Sequence, residues 1–269
     1  MVLARRRVKM RAKPSAKDQM KMRAVKMRAK PSAKAPAKPS VKIGELPLSG
    51  GEVPYSWQPW GGQGLHVDNC YAYAVGDHGK YRNNKSIPGN HSGMSSIFHT
   101  YRTCKGLAKR VISDNPKKVY LARAEERCKK NFYKVMMFVA PTNKYHNSTG
   151  DFHFYKQHGL VKYSVRNGDT PRSIARFFRI PVSRLPAKLP PVGKIVKVRA
   201  NVFSHKLGWA TGPLLTDASN RSIRDPRKAD RKYGYNYSKY CSSFCVKNKG
   251  IDVDPPKKAK RTNNIIKFF

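Results

Sequence analysis

Four residues of this 269-residue chain have types and an order that could support covalent catalysis: Cys70, His153, His205 and Asp225. Cys70 is the first residue of a predicted helix, where the helix dipole favours a thiolate. His153 lies on a predicted strand and could act as the general base. His205, Asp225 or Asp151 could then orient its ring. A cysteine followed along the chain by a histidine indicates an acyl-transfer site of a cysteine-type peptidase or amidase.

The same residues also fit a structural interpretation. Cysteine is among the most buried residue types, and the run Asn69–Ala74 reads equally well as a core helix. His153 is flanked by Phe152 and Phe154, as a hydrogen-bonded core histidine would be. We favour this interpretation, and the sequence predicts neither a metal nor a cofactor.

The apolar periodicity predicts helices followed by strands. The predicted elements are a helix from Cys70 capped by Asp68 or Asn69, helices over 97–112 and 116–128, and strands over 131–139 and 151–156. Helices that precede strands in this way are typical of an α+β domain.

The five cysteines are an odd number in a long chain, which favours free thiols made in a reducing compartment. Cys241 and Cys245 have a spacing that suits one face of a helix. Without two further ligands nearby in sequence, we expect them to serve core packing or one disulfide rather than a zinc site.

The charge of the chain predicts an anionic partner. Lys and Arg number 56 against 15 acids, which gives a net charge of +41. Residues 1–42 hold fifteen of these cations and one acid, Asp18, and the ten residues Val8–Lys17 return unchanged as Val25–Lys34. Such an arm has too little apolar surface to fold alone. It contains no aromatic residue, so only nonspecific contact with nucleic acid phosphates is open to it.

A membrane span is not expected. The longest purely apolar run is Val135–Ala140, far short of the roughly 20 residues that cross a bilayer.

Residues 161–199 resemble a lysin-motif (LysM) domain. The segment Tyr163–Leu185 has a strand, the turn Asn167-Gly168-Asp169, a helix capped by Thr170 and a second helix. Pro191–Val198 is similar to the closing strand of that βααβ unit. The resemblance implies binding of N-acetylglucosamine glycans by the loops Gly168–Arg172 and Arg184–Lys188, with these residues as candidates: Gly168, Asp169, Thr170, Arg172, Arg184 and Leu185.

A second, discontinuous resemblance surrounds the first. It is carried by Asn69–Ala74, Pro88–Gly93, Asp151–Lys156, Phe203–Gly208, Ile223–Pro226, Ala229–Arg231 and Tyr240–Val246. These segments are similar to a domain found in bacteria, phages and large DNA viruses, with the LysM-like module inserted. The resulting prediction is an α+β fold, a Cys/His mixed helix–strand domain with an inserted LysM-like βααβ module and extended basic arms. Its parts are 1–49 (basic arm), 50–160 and 200–250 (the body), 161–199 (the module) and 251–269 (the basic tail).

With its repetitive arm, the chain resembles the minor capsid proteins of algal chloroviruses. The resemblance implies a virion protein, assembled in the host cytoplasm, that links major capsid protein and other minor capsid proteins. The expected assembly contacts are Arg5, Arg6, Arg7, Lys9, Arg11, Lys13, Lys26, Arg28, Lys30, Trp57 and Trp60. Two alternatives stay open: a Cys/His peptidase or amidase that acts on host cell wall, and a basic DNA-packaging protein.

Overall fold

An antiparallel six-stranded sheet lies at the centre of the protein in a computed structural model, which describes residues 45–79, 85–94, 103–141 and 150–254. The strand order is β1-β10-β2-β3-β6-β7. These strands are β1 (Val119–Ala122), β2 (Phe132–Ala140), β3 (Asp151–His158), β6 (Val202–Lys206), β7 (Pro213–Leu214) and β10 (Lys239–Lys247). Two further antiparallel pairs are β4 (Val161–Ser164) with β5 (Ile195–Val198), and β8 (Lys232–Tyr233) with β9 (Tyr235–Asn236).

Strands β2 and β3 are buried along almost their whole length. They confirm the strands expected over 131–139 and 151–156, and they pair from Val135↔Lys156 to Ala140↔Asp151. A strand covered on both faces reads as a nearly continuous apolar run, as Phe132–Ala140 does. The fold is therefore mixed α+β, with a core made mostly of sheet.

Side chains of the sheet alternate between two buried faces. The helix face packs against the two helices of the body and includes Tyr133, Val135, Met137, Val139, Phe152 and Phe154. The tyrosine face includes Met136, Phe138, Ala140, Tyr155 and Phe203, which pack with Tyr233 and Tyr237.

Helix α1 (Cys70–Val75) begins and ends where local sequence dictates. The Asn69 side chain caps its start by accepting a hydrogen bond from the Ala72 N–H, which confirms one of the two expected caps. Gly76 ends the helix at φ +80°, a left-handed conformation that glycine adopts without strain. All six helical residues are buried.

Helix α2 (Cys104–Asp114), capped by Thr103, agrees with the C-terminal part of the helix expected over 97–112, while 95–102 lie outside the described residues. The helix expected over 116–128 is wrong. This segment contains β1, which pairs with β10 from Val119↔Val246 to Ala122↔Ser243. The decisive partner is distant in sequence, so local periodicity could not reveal it.

The expectation of free thiols is wrong for four of the five cysteines. Cys104 is bonded to Cys241, and Cys128 to Cys245. Cys241 and Cys245 lie on strand β10, not on a helix, and the register shifts at Cys241 between Tyr240 and Ser242. The Cys104–Cys241 disulfide lies against the helix-face core, and Cys245 shares its face with Lys134, on the opposite side.

Residues 161–199 form a β-α-β segment. Helix α3 (Pro171–Phe178) and a 3-10 turn (Val182–Arg184) connect the paired strands β4 and β5, so the second helix is a single short turn. Its core of Val161, Ile174, Phe178 and Val198 is continuous with Tyr55, Val202 and Leu215 of the body.

Among the described residues, no helix is both long and apolar enough to cross a bilayer.

Candidate functional site

Cys70 is a buried thiol at the start of α1, with 5% of its surface exposed. Its Sγ lies 3.7 Å from the Phe152 carbonyl oxygen, to which the thiol donates. Burial, and then the charge of Asp151, raise the pKa of Cys70 well above its usual value. The cysteine is therefore a neutral core residue, and the effect of the six-residue helix on its ionisation is outweighed.

His153 and His205 form a buried pair on the tyrosine face. His153 Nε2 lies 2.9 Å from His205 Nδ1, and His205 Nε2 lies 2.9 Å from the Thr216 carbonyl oxygen. Since a carbonyl only accepts, His205 carries its proton on Nε2 and accepts from His153 through Nδ1. Burial lowers the pKa of His205 to about 4, and burial together with His205 lowers that of His153 far below its usual value. Both rings are neutral near pH 7.

The sheet separates Cys70 from this histidine pair. Phe152 and Phe154 point to the helix face, where Cys70 and α1 pack. His153 lies between them in the strand and points to the opposite face, beside the rings of Tyr155 and Tyr237. The structure therefore does not bring together the thiol and the imidazole that the acyl-transfer hypothesis pairs.

The two candidate carboxylates have structural partners. Asp225 caps the 3-10 turn Pro226–Lys228 by accepting from the Arg227 N–H, and it also accepts from the Arg227 guanidinium at 2.8 Å. Asp151 Oδ2 accepts the Tyr237 hydroxyl at 2.7 Å. Asp225 thus belongs to a turn, and Asp151 closes the end of the tyrosine face.

The candidate glycan residues lie around the first turn of α3 and at the end of the 3-10 turn. Gly168 has φ +80°, and Asp169 Oδ2 accepts from the Arg166 N–H and the Tyr163 hydroxyl. Thr170 and Ser173 form a capping box at the start of α3. Arg172 and Arg184 are exposed, whereas Leu185 is 8% exposed and belongs to the core of the segment.

Of the expected assembly contacts, those in the basic arm (Arg5 to Lys30) lie outside the described residues. Trp57 is 45% exposed. Trp60 is half-buried, and its ring packs edge-on against Tyr73 and His78 at centroid distances of 5.1 and 5.2 Å.

Three carboxylates approach one another in the described part of the chain: Asp77, Asp252 and Asp254, with oxygens within 4.8 Å. Asp77 accepts from the Val253 N–H, and Asp252 from the Asp254 N–H. These bonds give the carboxylates a role in the chain turn that follows β10.

A polar cluster on the helix face was missed by the sequence reasoning. His158 Nδ1 donates to the Val53 carbonyl at 2.7 Å, so its Nε2 accepts from Ser204 Oγ at 2.6 Å. Tyr73 in turn donates to Ser204 at 2.5 Å. Lys156, on the same face, is 3% exposed. The signal was present, because Lys156 and His158 continue the spacing of Phe152 and Phe154 on a strand buried on both faces.

Comparison of the chain with known proteins identified no relative. No family model, curated protein or solved structure matches this chain significantly.

Proposed function

We propose that this chain is a structural virion component, a minor capsid protein that links capsid subunits through its basic surfaces. The observation that carries the proposal is the charge on residues 161–199. This segment has ten Lys and Arg residues and one acid, Asp169. All ten cations are exposed, and none forms an ion pair with another described residue: Lys162, Arg166, Arg172, Arg176, Arg179, Arg184, Lys188, Lys194, Lys197 and Arg199.

An unpaired positive surface of this kind favours an acidic partner. Asp169 can offset only one of the ten positive charges of the segment. Charge complementarity steers and orients association with an acidic surface. The repetitive basic arm would extend the same complementarity to neighbouring subunits.

The order strand, helix, short turn and strand supports treating residues 161–199 as a LysM-like module. In this proposal the module is a basic docking surface rather than a glycan receptor. Its two candidate loops contain Arg172, Arg184 and Lys188 and no aromatic residue that could stack on a sugar ring.

The positions of Cys70 and His153 speak against the peptidase alternative. A general base must come within hydrogen-bond reach of its nucleophile. Here the two side chains point to opposite faces of a packed sheet, and the thiol is held neutral by burial.

Incorporation into particles tests the proposal. A chain with Arg172, Arg176 and Arg184 changed to Ser should be lost from virions, as should a chain without residues 1–42. The matched control changes three exposed lysines of the body, Lys105, Lys109 and Lys130, to Ser and removes the same charge. Equal incorporation of all four proteins would contradict the docking role of the module and arm.

Two further measurements separate the alternatives. DNA binding that falls steeply between 50 and 200 mM salt and vanishes without residues 1–42 would favour DNA packaging. Turnover of a peptidoglycan peptide that disappears in Cys70→Ala would favour the enzyme. We expect no such turnover, whether Cys70 is present or absent.

A further inference from the structure

A cavity of about 290 Å³ opens at the end of the helix face, between α1 and strands β2, β3 and β4. Its walls include the rings of Trp60, Tyr73 and Tyr133, and its lining also contains Lys156 and His158. Pockets that hold small molecules have volumes of about 300–1,000 Å³, so this cavity suits a compact ligand.

Lys156 lines this cavity without a polar partner in the described structure. Its Nζ lies 4.9, 5.6 and 5.8 Å from the ring centroids of Tyr133, Tyr73 and Trp60. Such cation–π contacts compensate only part of the cost of burying an ammonium. No hydrogen bond or ion pair joins this ammonium to a described residue, although only 3% of the surface of Lys156 is exposed.

The other buried lysines of the sheet differ in this respect. The ammonium groups of Lys134 and Lys206 donate to backbone carbonyls, those of Arg123, Ala124 and Glu126 and those of Leu65 and Gly208 respectively. A buried ammonium is thus ordinarily saturated in this protein, and Lys156 is the exception among these three.

The polar groups beside Lys156 are neutral near pH 7 and carry no negative charge that could balance its ammonium. His158, Ser204 and Tyr73 form an uncharged hydrogen-bond chain that ends on the Val53 carbonyl, and the uncharged Tyr133 hydroxyl donates to the Ala74 carbonyl at 3.0 Å. The polar side chains at the rim are donors suited to an anion: Ser56, Gln58, Lys162 and Asn248.

We infer that this cavity binds a small organic monocarboxylate, with the carboxylate paired to Lys156 and the apolar part against the ring of Trp60. One buried positive charge is neutralised by one negative charge, whereas a dianion would leave an excess charge in an aromatic pocket. The flat aromatic walls favour a planar apolar group beside that carboxylate.

The site should bind more weakly as the pH rises above 7. Burial lowers the pKa of Lys156 to about 7. The other titratable groups that face it are Tyr73 from α1, Tyr133 from β2, His158 from β3 and Lys162 from β4. Burial raises the pKa of both tyrosines and lowers that of His158 to about 3, so these three stay neutral between pH 6 and pH 8.

Calorimetric titration of the full-length protein with benzoate tests the inference. We expect saturable binding at pH 6 that is about tenfold weaker at pH 8, since only the ammonium form attracts the anion. Benzamide, which has the same shape without the charge, should not bind. Inorganic phosphate should bind more weakly than benzoate.

Two variants locate the interaction. Lys156→Met keeps the apolar stem and should weaken benzoate binding by at least about 30-fold, because it removes one partner of a buried charge pair. Lys162→Met removes a charge at the exposed rim and should change binding by about threefold or less. Undiminished benzoate binding in Lys156→Met, or equal binding of benzamide, would overturn the inference.

Acetylation of the wild-type protein gives a test that needs no variant. Benzoate should slow the reaction of acetic anhydride with Lys156, followed by peptide mass spectrometry, while leaving Lys188 unaffected. An unchanged rate at Lys156 under saturating benzoate would equally overturn the inference.

Discussion

His153 and Lys156 lie three residues apart on the same strand, yet they occupy opposite kinds of environment. On the tyrosine face, His153 donates to His205, which donates to the Thr216 carbonyl, so both rings have hydrogen-bond partners within the protein. On the helix face, Lys156 faces a cavity and lacks any such partner among the described residues. Burial and a shifted pKa therefore do not by themselves mark a binding site. A buried polar group that lacks a hydrogen-bond or ion-pair partner is the more informative sign.

Removing His205 should destabilise the protein more than any other change considered below. His205→Ala empties a fully buried site beside Tyr155 and Tyr233 and leaves His153 without its acceptor. We expect the free energy of unfolding to fall by about 3–5 kcal/mol. Urea denaturation measures it, and His66→Ala, at an exposed histidine, is the control. A loss no larger than that of the control would show that the pair contributes little to stability.

Lys134 and Lys156 are both buried lysines on central strands, but only Lys134 has hydrogen-bond partners among the described residues. Lys134→Met leaves three carbonyl oxygens without their donor and should cost about 2–3 kcal/mol. Lys156→Met abandons no hydrogen bond and should leave stability at pH 7 unchanged or raised. Thermal unfolding of the two variants and of the wild type at pH 7 measures both changes in stability. Equal losses would mean that Lys156 has a structural partner after all.

Lys156 should also give the stability of the protein a modest pH dependence. Its pKa is about 7 in the folded protein and about 10.4 in an unfolded chain, so the unfolded state binds the extra proton in between. Stability therefore rises with pH through this window. The difference in unfolding free energy between wild type and Lys156→Met should shift in favour of wild type by about 2 kcal/mol from pH 7 to pH 9. Other titrating groups cancel in that difference, and a flat difference would contradict the burial cost assigned to Lys156.

Local sequence was sufficient for the elements whose signals are local. The Asn69 cap, the β2 and β3 runs and the Thr170 turn all appear where the residues place them. It failed where partners are distant, as for β1 and for the two disulfides. It also predicted a second helix in residues 161–199, where the structure has a single short 3-10 turn. The face on which a residue points proved decisive for the site, because alternation along β3 already places His153 opposite Phe152 and Phe154. That alternation could have separated His153 from a cysteine on a helix packed against those phenylalanines, had the position of α1 been known.

The position of β10 governs when this protein can fold. The strand lies between β1 and β2 and carries one cysteine of each disulfide, yet it follows all the other strands of the sheet in the sequence. Without β10, β1 has no partner strand in the sheet and β2 has an unpaired edge. The six-stranded sheet can therefore be completed only once β10 is available, and neither disulfide can form before this strand arrives. A chain released early would present open strand edges, and truncation before Lys239 is expected to yield aggregates rather than a smaller folded protein.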